Sequence, residues 1–284
     1  MRSLRVDSSG GVELAVHDLG GRGEPLLIAH ATGFCGRAYD PLSALLRRQF
    51  HVFAIDLRGH GDSTSPADGD FGWSGMADDV LATNAVIGRG PIGAIGHSMG
   101  GAALLLAEAA RPGTLRFAYL YEPILFPSGF VAYGDNAMAG PARRRRARFA
   151  SKAEVLHRYA NRPPLNVLRA DALAAYVEHG FMSMDDGTVR LKCTGEHEAR
   201  TYDAGLQVTV DRIAGVTVPT TVAVGLRTSG TGPERLAPGI VAALGSASLL
   251  EYPHLGHFGP LQDPESLVPD VLALALAAAP AAPG

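Results

Sequence analysis

The stretch IGAIGHSMGGAALLLAEAA, Ile92 to Ala110, constrains the fold of this chain more than any other. A short apolar run stops at a serine set among glycines, Gly96-His97-Ser98-Met99-Gly100-Gly101, and a longer apolar run begins at once. A strand that turns so sharply into a helix puts the turning residue into a strained backbone conformation. Only neighbours without side chains then let the two segments approach. Ser98 is expected at that corner, with its oxygen leaving the sheet edge and the N-terminus of the following helix behind it. Ile92 to Gly96 reads as a central strand buried on both faces, which implies a parallel sheet with helices on either side.

The surrounding sequence repeats the alternation. Val12 to His17 and Pro25 to His30 read as strands, Leu42 to Arg48 as a helix, and His51 to Asp56 as a strand. Met76 to Ile87 suits a helix and Phe117 to Glu122 a further strand. The pattern then becomes helical. Ser151-Lys-Ala-Glu154 has the spacing of a capping box, and RADALAAYVEHG, Arg169 to Gly180, is an amphipathic segment closed by glycine. Strand-like runs return at Val218 to Gly225 and Ala247 to Pro253, and a last helix is predicted from Pro264 to Ala278. This predicts an α/β core of residues 1–125 and 212–284, its mostly parallel sheet flanked by helices, with a helical cap inserted at 126–211. The closing AAAPAAPG has nothing to pack and is expected to fray.

Composition narrows the partners. Lys+Arg 25 against Asp+Glu 28 leaves a net charge of -3, which provides no field for gathering nucleic acid or an anionic membrane. No apolar run is long enough to span a bilayer. A small molecule is the expected partner, with monomer and homodimer both open. The opening MRSLRVDSSGG lacks the apolar centre of a secretory signal, and Cys35 and Cys193 form neither a zinc spacing nor a disulfide framework, so a cytoplasmic setting is expected. No two histidines show the H-E-x-x-H arrangement, and neither a metal nor another cofactor is expected. The run Arg143 to Arg146 reads as a solvated face of the insertion, with capture of an acidic substrate as the alternative.

Three motifs carry the chemistry. Gly96-His97-Ser98-Met99-Gly100 matches G-x-S-x-G between a strand and a helix. His30-Ala-Thr-Gly-Phe34 follows one strand, and Asp56-Leu-Arg-Gly-His-Gly-Asp-Ser63 follows the next. In this order the chain resembles the α/β-hydrolase superfamily. The resemblance implies that fold, a nucleophile at Ser98 and an oxyanion hole built from two backbone N–H groups, which by position are those of Met99 and of Thr32 or its neighbour. It also points to His257, in Gly-His-Phe after the last strand-like run, as the general base. His254 reads as a loop histidine at the sheet rim.

The acid departs from the common pattern. Most relatives carry an aspartate after the strand equivalent to TTVAVG, whereas this chain continues Leu226-Arg-Thr-Ser-Gly-Thr-Gly-Pro-Glu234. Glu122, closing FAYLYE one strand earlier, resembles the acid of haloalkane dehalogenases and keeps the order nucleophile, acid, base. Asp203 and Asp211 are the alternatives, while Asp56 suits a turn-stabilising role.

The expected activity is hydrolysis of an ester, thioester or lactone through a Ser98-His257-Glu122 triad and an acyl-enzyme. Phe34, Phe126, Phe130, Phe149 and Tyr176 are candidates either for the pocket lining or for the cap's own core. Cys35 is read as an apolar wall of that pocket. Two alternatives stay open. One is carbon–carbon bond hydrolysis or a cofactor-independent cyclase or lyase step, and the other is a ligand sensor that kept the pocket.

Overall fold

The computed structural model describes residues 2–88, 90–227 and 232–279. Its main sheet is built from β1 (Arg2–Asp7), β2 (Glu13–Gly21), β3 (Glu24–Ala29), β4 (Phe50–Asp56), β5 (Ile92–His97) and β6 (Leu115–Tyr121). After an insertion containing the short strands β7 (Arg148–Phe149), β8 (Phe181–Ser183) and β9 (Val189–Leu191), it is completed by β10 (Thr220–Gly225) and β11 (Ser248–Tyr252). The strand order is β1-β2-β4-β3-β5-β6-β10-β11. The first two strands run antiparallel to their neighbours and the rest are parallel. This is the α/β-hydrolase fold.

Parallel strands joined by crossover helices must bury both faces, and all six residues of β5 and of β10 are buried. The helices that cover one face are α2 (Trp73–Ile87), α3 (Met99–Ala110) and α8 (Ala237–Leu244), through Met76, Val80, Leu104 and Ile240. The other face is covered by α1 (Asp40–Leu46) and α10 (Pro264–Ala277), through Leu42, Leu46, Leu267 and Val271, with the short α9 (Gly259–Gln262) beside them. β1 has no counterpart in the sequence reading. It is an edge strand with only Val6 buried, so half of RSLRVD is charged and the stretch carries no strand signal.

The segment between β6 and β10 contains α4 (Ala139–Arg143), α5 (Lys152–Ala160), α6 (Ala170–Gly180) and α7 (Gly195–Gly205). It is not purely helical, because β7, β9 and β8 pair into a small antiparallel sheet. Strands of two and three residues are too short for alternation to show in the sequence. The Ser151 hydroxyl accepts the Glu154 N–H, while the Glu154 carboxylate reaches back to the N–H of Ala150. Where the segment leaves and rejoins the sheet, Phe126 donates its N–H to Val208 O and accepts from the Val210 N–H, both at 2.8 Å. Among the described residues, no helix is long and apolar enough to cross a membrane.

Candidate active site

Ser98 stands at the corner between β5 and α3 with φ 55° and ψ -118°, a conformation that L-residues rarely adopt. The flanking glycines follow from the close approach this requires. A Cβ on Gly96 would lie 2.5 Å from Gly101 Cα, and one on Gly100 would lie 2.3 Å from the carbonyl oxygen of Ala29 at the end of β3. The Ser98 N–H donates to Tyr121 O at 2.9 Å, and its own carbonyl accepts from Gly101 and Ala102, so the corner is tied to β6 and to the first turn of α3.

Glu122 follows β6 directly, with φ 45°, and its side chain is wholly buried. The carboxylate leans towards the end of β10, where Oε1 accepts the Gly225 N–H at 2.9 Å. The other oxygen, Oε2, lies 2.6 Å from His257 Nδ1. Facing a carboxylate, Nδ1 carries the proton, which leaves Nε2 as the acceptor. His257 sits in the loop between β11 and α9. Exposure rises from 0% for the Glu122 side chain to 25% for that of His257, so the carboxylate is sealed while the imidazole reaches solvent. Asp203 accepts from the Asn136 N–H and from Arg143, and Asp211 bonds the Thr209 hydroxyl, so both are engaged elsewhere. Of the Leu226 to Glu234 stretch, residues 228–231 lie outside the described residues, as do 280–284 of the tail.

Thr32 and Met99 come together across the two loops, the Thr32 hydroxyl resting 3.4 Å from the Met99 sulfur. Neither backbone N–H of this pair donates to another protein group among the described residues. Below them, His30 donates from Nδ1 to Ala31 O and accepts the Leu57 N–H at Nε2. Burial pushes the His30 pKa down to about 3, so the ring is neutral and its tautomer is set. Asp56 accepts the N–H groups of Gly36 and Asp62 and pairs with His17. Burial would raise its pKa, but the His17 contact and the Asp62 N–H hold it at about 2. His17, Asp56 and Asp62 bring potential metal-ligand atoms within 4.8 Å of one another. Those atoms are already engaged, His17 with Asp56 and Asp62 with Lys192. Burial pushes the Cys35 thiol up, which disfavours the thiolate.

The five aromatic candidates separate. Phe34 packs on Tyr176 at 4.7 Å and on Phe258 at 5.7 Å, and Phe258 lies in turn tilted against the His257 ring at 5.5 Å. The Tyr176 hydroxyl donates to Gly33 O at 2.9 Å, so both residues border the loop that carries Thr32. Phe149 instead packs edge-on against Tyr159 and Phe181 inside the insertion, 1% exposed. Phe126 and Phe130 stack on each other at 4.2 Å beside the bridge that closes the insertion.

The arginine run also divides. Arg143 and Arg146 form ion pairs at the surface, but Arg145 turns inward to Glu198 at 2.9 Å and to the Tyr176 hydroxyl at 2.6 Å. α4 ends at Arg143, so the following arginines leave the helix rather than spread around it. His254 bonds weakly to Asp263 and Ser266 at the surface.

Sheet order and corner geometry together define the class, an enzyme of the alpha/beta hydrolase superfamily. Comparison with known proteins agrees: residues 26–270 match the alpha/beta hydrolase family, and the chain belongs to it. It is similar to 2-(acetamidomethylene)succinate hydrolase of Mesorhizobium japonicum, 29% identical over 187 residues, which is 65% of this chain and 64% of that protein. N-formylmaleamate deformylase of Pseudomonas putida is 28% identical over 136 residues, 45% of this chain and 51% of that protein. In both alignments the chain spans less than two thirds of the relative's own length. The crystal structure of E-2-(acetamidomethylene)succinate hydrolase superposes with a TM-score of 0.79 at 23% identity, covering 96% of this chain and 98% of that one. That likeness concerns the fold.

Proposed function

We propose that this protein hydrolyses a small carbonyl compound by acyl transfer through Ser98. The observation that carries the reading is the 2.6 Å contact between the His257 imidazole and the buried Glu122 carboxylate, the latter at the end of β6 beside the strand that ends at the strained Ser98. In this reading His257 Nε2 takes the Ser98 proton as the oxygen bonds to the carbonyl carbon. The negative charge that develops on the carbonyl oxygen is met by the N–H groups of Met99 and Thr32, and each such donor is worth about 2.7–4 kcal/mol. His257 then passes its proton to the departing group, and the same imidazole activates water to release the acid and restore Ser98. Glu122 holds the tautomer and stabilises the imidazolium. The insertion forms the roof, with Phe34, Tyr176 and Phe258 as walls. The modest net charge supports a small-molecule substrate over a polyanion.

Ester, thioester and lactone carbonyls fit this scheme. A second reading is favoured by the names of both relatives, which specify an acyl group on nitrogen, acetamido in one and N-formyl in the other. The machinery is the same in both readings; the leaving group differs. Labelling with an alkyl fluorophosphonate tests the shared chemistry. Rapid modification that is abolished in Ser98→Ala and strongly slowed in His257→Ala supports it, whereas modification that survives Ser98→Ala overturns it. Parallel assays with p-nitrophenyl acetate, a γ-lactone and an N-acetyl enamide divide the two readings.

A further inference from the structure

Tyr39 and His97 lie beneath the site, both with 0% exposure, and the triad scheme gives neither a role. Their hydrogen bonds form an unbroken series. The N–H of Ala31, next to Thr32, donates to the Tyr39 hydroxyl at 3.2 Å. That hydroxyl is 2.7 Å from His97 Nδ1, and His97 Nε2 is 2.7 Å from the carbonyl oxygen of His257. The directions are set by chemistry. A carbonyl oxygen only accepts, so Nε2 carries the His97 proton. Burial and the neighbouring His257 hold the His97 pKa well below its ordinary value, so the ring is neutral and Nδ1 has no proton. The Tyr39 hydroxyl must therefore donate to Nδ1 while it accepts from Ala31.

Three parts of the chain meet in this series: the loop before Thr32, the corner residue before Ser98, and the backbone of His257 itself. His97 and His257 are 160 positions apart in sequence, and no strand pairing joins the β11 loop to β5. Tyr121 provides a second anchor for the same loop, donating to Gly256 O at 2.8 Å, but it does not reach the early loop. Among the described residues, the Tyr39–His97 series is the one that touches all three.

We propose that Tyr39 and His97 are positioning residues, a neutral relay that sets the distance of the base loop and of the oxyanion loop from Ser98. The proposal rests on the triad reading above. Neither side chain contacts the substrate. Their effect is on the reacting geometry, where a displacement of about 1 Å lowers the rate on the order of 10²-fold.

The test is the rate of fluorophosphonate inactivation, resolved into the bond-forming constant kinact and the binding constant KI. Tyr39→Phe is expected to lower kinact about tenfold and His97→Leu about 30- to 100-fold, with KI changed less than about threefold. Because the two act in series, Tyr39→Phe in the His97→Leu background should lower kinact by no more than a further factor of about two. His97→Gln, which can still present an N–H to His257 O, should recover most of the lost rate. Labelling that survives Ser98→Ala overturns the triad reading and the relay with it. Labelling that is lost in Ser98→Ala but keeps its wild-type kinact in Tyr39→Phe and His97→Leu overturns the relay alone, as do effects that multiply fully in the double variant. Should His97→Leu fail to fold, Tyr39→Phe decides: an unchanged kinact refutes the relay, and a fall of about tenfold at an unchanged KI supports it.

Discussion

Replacing Glu122 by glutamine keeps the shape of the side chain and removes one capacity. The two carboxylate oxygens serve different donors, His257 Nδ1 at 2.6 Å and the Gly225 N–H at 2.9 Å. Glutamine offers one acceptor oxygen and one NH2. If the oxygen stays on Gly225, the NH2 meets the proton on Nδ1. The imidazole escapes only by moving that proton to Nε2, the nitrogen that in the proposed triad receives the one from Ser98, and such a wrong tautomer lowers turnover on the order of 10⁴-fold. If the amide turns, the tautomer survives, but the Gly225 N–H faces a donor and the imidazolium loses its counter-charge. Loss of a hydrogen bond to a charged group is worth about 1.5–3 kcal/mol, or roughly 10- to 150-fold in rate. Turnover of p-nitrophenyl acetate near neutral pH should therefore fall at least about tenfold and up to about 10⁴-fold, with the circular dichroism spectrum unchanged. A folded Glu122→Gln protein within about threefold of wild-type turnover would refute the reasoning and move the acid's role to another carboxylate.

Three further outcomes are expected. Arg145→Met strands the Glu198 carboxylate, 9% exposed, without its counter-charge, so stability should drop by about 3–5 kcal/mol; thermal melting that shows no loss, or no recovery when Glu198→Gln is added, contradicts the buried pair. Gly100→Ala drives a methyl against a backbone oxygen at 2.3 Å, and destabilisation at the upper end of about 1–3 kcal/mol should be accompanied by loss of Ser98 labelling. The third concerns acid. His30, His60 and His97 have folded-state pKa values lowered mainly by burial, in His30 to about 3, so below about 6.5 the unfolded chain binds protons that the folded one refuses. Stability is thus full above that pH and declines towards about 3, by several kcal/mol in order of magnitude. A urea midpoint that holds steady between pH values of about 7 and 4.5 would count against it.

What could be read from the sequence was whatever contiguous residues determine. The Ser98 corner is legible because its steric demand falls on immediate neighbours, Gly96 and Gly100, whose missing side chains record it. Glu122 and His257 are legible as separate candidates, each at a strand end, but their meeting depends on β6 lying beside β10 and β10 beside β11, a fact of sheet order. The relay through Tyr39 is of the same kind: His97 is visible in its motif, while its hydroxyl partner comes from a loop 58 positions earlier. Inside the insertion the local signal fails differently. Arg143 and Arg145 look alike in a run of four, yet one stays at the surface and the other turns inward to Glu198 and Tyr176 because a helix stops between them. Phe149 and Tyr176 read alike as aromatics, and only packing sends one into the insertion's core and the other to the Gly33 carbonyl.

The bridge between Phe126 and Thr209 has a consequence for how such a protein can change. A segment that departs and returns through one narrow clasp can be lengthened, trimmed or swapped by recombination without disturbing the register of any strand in the floor. What such a change passes on to the loop that carries Thr32 then travels through side-chain contacts such as Tyr176 to Gly33 O, and not through the sheet.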